Sequence, residues 1–317
     1  VAVVGGGNMG AHHIRVFSEL SNANLVEVVE PNPERARELA TEYDVKVLDS
    51  VADVSLARAG SIAAPNERHR KVAERCIERG MDILVEKPLA NTVSDAEAIV
   101  NAAESAGVLL QVGHIEQFNP AIETLRDILE PGSMVAFDTR RLGPFNEHLS
   151  YKSVVFDLMI HDLNIVDSLI PADVRQLHAI GSTTKSNELD YVICQLEFEN
   201  GVIGSLTASH VTHGKVRRLD LTTDDAFISV DYQEQGINVQ SWGDIRPRTE
   251  LTNHGGYRTE TVTETPYVQT REPLKNELEH FLRCIERRER PMVDGEAGVR
   301  AVRLAATIVR QVNGTGE

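Results

Sequence analysis

The sequence predicts an α/β chain of two domains: a doubly wound parallel sheet over residues 1–117, then an α+β domain over 118–317 with an open, mainly antiparallel sheet. Three observations predict it. Residues 1–115 alternate short apolar β-type runs with longer helical patterns, the signature of a parallel sheet covered by helices. From about Met134 the runs become β-rich and closely spaced, which suits antiparallel pairing. A glycine-rich turn, Gly5 to Gly10, joins the first apolar run to the first helical one.

The strands expected in the first domain are residues 1–4, 25–30, 45–48, 61–64, 83–86 and 108–113. Helix signals between them are local. Ser94 with Glu97 makes a capping box, and Asn119 before Pro120 places a cap and a first-turn proline ahead of Ile122, Leu125 and Leu129. The second domain carries β-type runs at 135–142, 191–198, 202–210 and 217–232, interrupted by a helical stretch at 157–170. Helical spacing returns at 274–288 and 296–312, and no internal repeat or low-complexity tract interrupts the pattern.

Composition excludes several function classes. No run approaches the roughly 20 apolar residues of a membrane-crossing helix, so no membrane partner is expected. A net charge of -16 opposes the phosphate backbone of a nucleic acid. Only 7 of the 32 basic residues are lysine, a composition that fits a salt-rich cytoplasm or a GC-rich genome. Cys76, Cys194 and Cys284 form no CxxC pair and lie in apolar-periodic segments, which suggests a reducing compartment. The pairs His12/His13 and His210/His213 lack further ligands at metal spacing, so no metal is expected. The chain opens at Val1 within an apolar run, and a cytoplasmic location is the default expectation.

Gly5, Gly7 and Gly10 satisfy GxGxxG, and the segment they open carries Ile14, Phe17 and Leu20 at helical spacing. The first glycine permits the tight turn. The second lets the backbone approach a pyrophosphate, and the third lets the helix pack closely on the strand, as in a Rossmann dinucleotide fold. Phosphates then meet free N–H groups at the helix N-terminus. Glu30 ends the second strand, 20 residues beyond Gly10, where a carboxylate accepts hydrogen bonds from both ribose hydroxyls and repels a 2′-phosphate. NAD is therefore expected over NADP, with Arg35 and Arg37 a turn further on to soften the preference.

Lys87 follows the fifth strand at the carboxyl edge of the sheet, where open α/β sheets bind ligands. Pro88 holds it extended, and the bond between them is a candidate cis peptide. In the helix beginning near Asp157, the residues Asp157, His161, Asn164 and Ser168 share one polar face on an otherwise apolar segment. Oxidation of a secondary alcohol needs a group to take the hydroxyl proton, which suits His161. It also needs a cation beside the developing alkoxide, which suits Lys87, while Asp157 orients the sugar or the imidazole.

With these motifs, the chain resembles the glucose-fructose oxidoreductase and inositol dehydrogenase family (Gfo/Idh/MocA) over essentially its whole length. The residues that carry the resemblance are Gly5-Gly6-Gly7-Asn8-Met9-Gly10 with His13, Ala64-Pro65-Asn66 with His69, Glu86-Lys87-Pro88, Gly113-His114, and Asp157 with His161. The family implies Lys87, Asp157 and His161 as the catalytic set. It implies Gly5, Gly7, Asn8, Met9, Gly10, Glu30, Ala64, Pro65, Asn66, His69, Glu86 and Lys87 as cofactor-binding residues, and a homodimer or homotetramer built through the C-terminal sheet. The runs 113–120, 143–145 and 157–162 look most like the family's nucleotide-sugar members and imply oxidation of UDP-N-acetylglucosamine at C3. Gln117 stands where those relatives usually carry arginine, and Ala64-Pro65 replaces the more frequent Thr-Pro. A diphosphate would need cationic partners, for which Arg140, Arg141 and Lys152 are at hand in sequence. A free polyol, monosaccharide or sugar phosphate as substrate, and a non-catalytic sugar or NAD sensor, are the competing readings.

Overall fold

The computed structural model describes residues 1–145, 153–242 and 261–314. The chain forms two compact units. The first comprises Val1–Phe118, Leu163–Ile165 and Arg271–Arg310, and the second Asn119–Asp162, Val166–Thr270 and Gln311–Glu317. The units thus depart from a single cut at residue 117: the segment read as the end of the second domain returns to the first.

In the first unit, β1 (Ala2–Val4), β2 (Glu27–Val29), β3 (Lys46–Leu48), β4 (Ala59–Ile62), β5 (Asp82–Glu86) and β6 (Leu110–Gly113) form a wholly parallel sheet in the order β3-β2-β1-β4-β5-β6. The strand order reverses at β1 and β4, the switch point where a doubly wound sheet binds ligands. Four helices, α1 (Asn8–Glu19), α2 (Pro33–Tyr43), α3 (His69–Ile77) and α4 (Val93–Ala106), connect the strands. The cap of α4 differs from expectation: Thr92 accepts from the N–H of Asp95, two residues before the predicted Ser94 box. Both are Ser/Thr-x-x-acid patterns, and the chain enters the helix at the earlier one.

Two further helices of this unit, α7 (Pro273–Arg287) and α8 (Gly295–Val312, its last two residues in the second unit), come from the C-terminus. The apolar stripe Leu274, Leu278 and Phe281 of α7 packs with Val3, Ile14, Phe17, Val28, Leu39 and Leu84 in one buried cluster. Each large side chain so buried contributes roughly 1.5–3 kcal/mol. Close approach of α8 to β6 depends on Gly295 and Gly298, where a Cβ would lie 2.7 Å from Leu110 and 2.7 Å from Val112.

The second unit holds α5 (Pro120–Ile128), entered through the Asn119 cap and Pro120 as predicted. Eight strands follow the order β14-β13-β12-β11-β7-β10-β9-β8. They are β7 (Met134–Leu142), β8 (Val174–Ser182), β9 (Tyr191–Phe198), β10 (Ile203–Ser209), β11 (Val216–Thr223), β12 (Ala226–Asp231), β13 (Gly236–Trp242) and β14 (Thr261–Glu264). Pairing is antiparallel except between β7 and β10. The run read as one strand at 217–232 is two, β11 and β12, parted at Asp224 and Asp225. The helical stretch at 157–170 is a π turn, Val155–Met159, continued by α6 (Ile160–Leu169).

Candidate active site

At the glycine-rich turn, Gly5 adopts φ of +102° and its N–H bonds to Val29 O at 2.8 Å. A Cβ on Gly5 would lie 2.6 Å from Ala63 O, and one on Gly10 only 1.9 Å from Gly5 O. These two glycines hold the turn shut. Gly7 behaves differently, since a Cβ there would meet no described atom within 4 Å, so its backbone is open to an approaching ligand. Helix α1 starts on Gly7 with no side-chain cap among the described residues and no acid in its first turn, whereas α2 has the Asn32 cap and Glu34. The exposed Asn8, half-buried Met9 and Gly10 thus begin a helix whose N–H groups and positive dipole end are left for an anion.

Glu30 follows β2 and is pre-set at this turn. Its Oε2 accepts the Gly6 N–H and its Oε1 the Asn32 N–H, both at 2.8 Å. Gly6, an unassigned position of the motif, is needed for this: a Cβ there would lie 2.5 Å from Leu39 and 3.0 Å from Glu30 Oε2. Arg35 is turned onto Gly6 O and Glu38. Turn, helix terminus and carboxylate fit the pyrophosphate and adenosine ribose of a nicotinamide dinucleotide.

Lys87 emerges after β5, and the Lys87–Pro88 bond is cis. Beneath it lies a buried polar chain that sequence spacing could not join. His13 of α1 sets Nδ1 2.6 Å from Ser61 Oγ on β4 and Nε2 2.9 Å from Glu86 Oε1 on β5, while Glu86 Oε2 accepts the Lys87 N–H. Gly113 leaves room for that carboxylate, since a Cβ would sit 3.0 Å from it. His69 lies next to the loop that follows β4. It is fully buried with Nδ1 2.9 Å from Pro88 O and Nε2 2.9 Å from Ala64 O, so it braces the loops of Ala64, Pro65 and Asn66 and of Pro88. His114 is buried, and burial, seconded by the charge of Lys87, pushes its imidazole down to about 3; it is neutral at any working pH.

Glu277 of α7 shares the buried face of Leu274, Leu278 and Phe281, and neither of its carboxyl oxygens has a hydrogen-bond partner among the described residues. Burial, then the charge of Glu86, raises its pKa well above the ordinary range. The folded chain therefore holds its proton more tightly than the unfolded chain, which ionises it above about 4.3, so its contribution to stability falls as pH rises above that value. Glu277→Gln removes the loss. Thermal melts from about pH 5 to about pH 8 should show the variant gaining on the wild type as pH rises; a constant difference would mean that Glu277 takes up no proton on folding.

In the second unit, Asp157 lies in the π turn and His161 in the first turn of α6, both partly exposed. A π turn carries an extra residue per turn and recurs at functional sites. The expected polar stripe does not persist beyond them. Asn164 is buried and takes the amide of Gln117, which donates to its Oδ1 at 2.7 Å and its carbonyl at 2.9 Å. Ser168 lines a separate hollow with Arg126, Gly132 and Asn200. Gln117 is therefore a buried brace. Asp157 Oδ2 lies 2.9 Å from Nε2 of His210, a residue that sequence reasoning considered only as a metal ligand. Its signal was present, because Leu206, Ala208 and His210 alternate along the face on which Leu206 and Ala208 are buried.

Two of the cations at hand for a diphosphate, Arg140 and Arg141, are paired with carboxylates. Arg141 is 2% exposed and forks onto Asp162 through Nε at 2.9 Å and an Nη at 2.8 Å, beneath the ring of Tyr232. Arg140 lies between Asp138 and Asp220, and Lys152 falls outside the described residues. Sequence could not foresee the fork, because Arg141 faces the helix side of its strand and Arg140 the open side.

Comparison with known proteins accords with this geometry. Residues 1–114 match the family model described as an oxidoreductase family with an NAD-binding Rossmann fold, and residues 135–229 match the GFO/IDH/MocA C-terminal domain. The chain is 30% identical over 308 residues to a UDP-N-acetylglucosamine 3-dehydrogenase of Acidithiobacillus ferrooxidans, covering 96% of this chain and 95% of that one. It is 24% identical to a scyllo-inositol 2-dehydrogenase (NAD(+)) of Bacillus subtilis, covering 92% and 87%. The solved structure of the Acidithiobacillus enzyme superposes with a TM-score of 0.86 at 29% identity, covering 99% of this chain and 97% of that one. The chain belongs to the GFO/IDH/MocA oxidoreductase family and is a nicotinamide-dependent dehydrogenase of CH–OH groups.

Proposed function

We propose that the chain oxidises UDP-N-acetylglucosamine at C3 to the 3-keto sugar with NAD, using Lys87, Asp157 and His161 as its catalytic set. The observation that carries the substrate is its similarity, along nearly the full length of both chains, to a UDP-N-acetylglucosamine 3-dehydrogenase. When bound, the nicotinamide accepts the hydride from the sugar carbon. His161 takes the hydroxyl proton, the Lys87 ammonium stabilises the developing negative charge on oxygen, and Asp157 orients the reacting hydroxyl or the imidazole. NAD is favoured over NADP by Glu30, whose fixed carboxylate would repel a 2′-phosphate. A homodimer or homotetramer in the cytoplasm fits the open face of the second unit's sheet, where Ile180, Ile203, Phe227 and Trp242 are exposed.

The test is NADH formation with UDP-N-acetylglucosamine, myo-inositol and glucose, each with NAD and with NADP. Turnover is expected on the nucleotide sugar, with higher kcat/KM for NAD, and Glu30→Ala should narrow that cofactor preference. The inositol relative supports a second reading, a polyol dehydrogenase; turnover on inositol with none on the nucleotide sugar would establish it. Better efficiency with NADP would overturn the role of Glu30.

A further inference from the structure

The contact between His210 and Asp157 is framed by backbone hydrogen bonds on both sides. Consecutive carbonyls of a single loop hold the two ends of the pair: Leu189 O accepts the N–H of Val154, which leads into the π turn of Asp157, and Asp190 O accepts the N–H of His210 at the end of β10. The distances are 2.8 and 2.9 Å. That loop is itself fixed, because the buried Asp190 carboxylate accepts the N–H groups of Thr184, Lys185 and Ser186 and the Thr184 hydroxyl. The opposite side of the turn is tied by Gly143 N–H to Ser209 O and by Thr212 N–H to Gly143 O.

The pair is graded in exposure. The Asp157 side chain is 47% exposed and that of His210 is 6% exposed, so the carboxylate stands at the surface with the imidazole behind it. A carboxylate only accepts, so Nε2 of His210 carries the proton in this contact. A half-exposed aspartate on its own samples several rotamers; one held from behind by a buried, backbone-anchored donor keeps one.

We propose that His210 is a positioning residue for the catalytic set, acting through Asp157, whose carboxylate it orients by donating from Nε2. The inference rests on the reading of Asp157 as a catalytic group, and it adds a residue to which no role in the reaction was assigned. Misplacement of a reacting or orienting group by about 1 Å costs on the order of 10²-fold in rate, which sets the size of the expected effect.

The experiment is a mutant cycle on the intact enzyme, read as kcat and KM for whichever sugar the wild type oxidises. His210→Leu should lower kcat on the order of 10²-fold, with the Kd for NAD unchanged. His210→Gln, whose amide N–H can reach the place of Nε2, should recover most of the loss. In an Asp157→Ala background, His210→Leu should cost nothing further, because the group through which it acts is gone. An equal loss in both backgrounds, or a His210→Gln enzyme as slow as His210→Leu, would overturn the proposal. Lack of oxidation of every sugar by the wild type would reject the proposed reaction, and the role of His210 with it. Loss of coupling with turnover intact would reject His210 alone.

Discussion

Replacing His161 by asparagine is expected to lower kcat by about 10²- to 10⁴-fold, the usual worth of a positioned general base. NAD affinity should be unchanged. The two effects separate because His161 stands in the first turn of α6, whereas the dinucleotide features, the turn of Gly5 to Gly10 and Glu30, belong to the first unit. Asparagine keeps a polar side chain of similar size but cannot accept a proton near neutral pH. Lys87→Met should be comparably slow for another reason, loss of the cation beside the reacting oxygen. Steady-state rates with an independent NAD titration check both. An unchanged kcat in His161→Asn would remove the histidine from the chemistry.

Gly10→Ala should abolish cofactor binding and destabilise the first unit. The added methyl would lie 1.9 Å from Gly5 O, and the obstacle is backbone already fixed by the Gly5 N–H bond to Val29 O. Relief requires α1 to move away from the turn, which separates the helix N-terminus from the place where the backbone meets a phosphate and disturbs the packing of Ile14 and Phe17. Overpacking typically costs about 1–3 kcal/mol where side chains can yield, and here none is available to yield. Gly7→Ala is the control. Its methyl meets no described atom, so it should melt with the wild type while weakening NAD by obstructing the ligand alone. Thermal melts and NAD titrations of the two variants should therefore diverge in stability and agree in direction on affinity. A Gly10→Ala protein as stable as the wild type would contradict the close packing.

The parallel sheet was legible because each buried strand is a short apolar run and each connection is a helix, two periodicities that are hard to confuse. The strands that escaped notice, β8, β13 and β14, lie at or next to the sheet edges; β14 is exposed along its whole length and β8 along most of it, so neither has an apolar period to read. Local chemistry placed the Asn119 cap, yet it could not choose between Thr92 and Ser94, which present the same pattern two residues apart. The site follows the same division. Gly5, Gly7, Gly10 and Glu30 form a local motif in sequence, and their conformations follow from sterics. His13 meets Glu86 across 73 positions and Asp157 meets His210 across 53, contacts that only the assembled sheets create. His69, Gln117 and Arg141 are alike in that each is a buried polar residue satisfied by a partner distant in sequence, as burial requires, and no local pattern names that partner.

The most direct test of the proposed reaction is to incubate the enzyme with NAD and UDP-N-acetylglucosamine carrying deuterium at C3, then weigh the reduced cofactor. Transfer of the label to the nicotinamide, with a 3-keto nucleotide sugar as co-product and a slower rate than with unlabelled sugar, is the expected result. Reduced cofactor without the label, or no reduction at all, would contradict oxidation at C3.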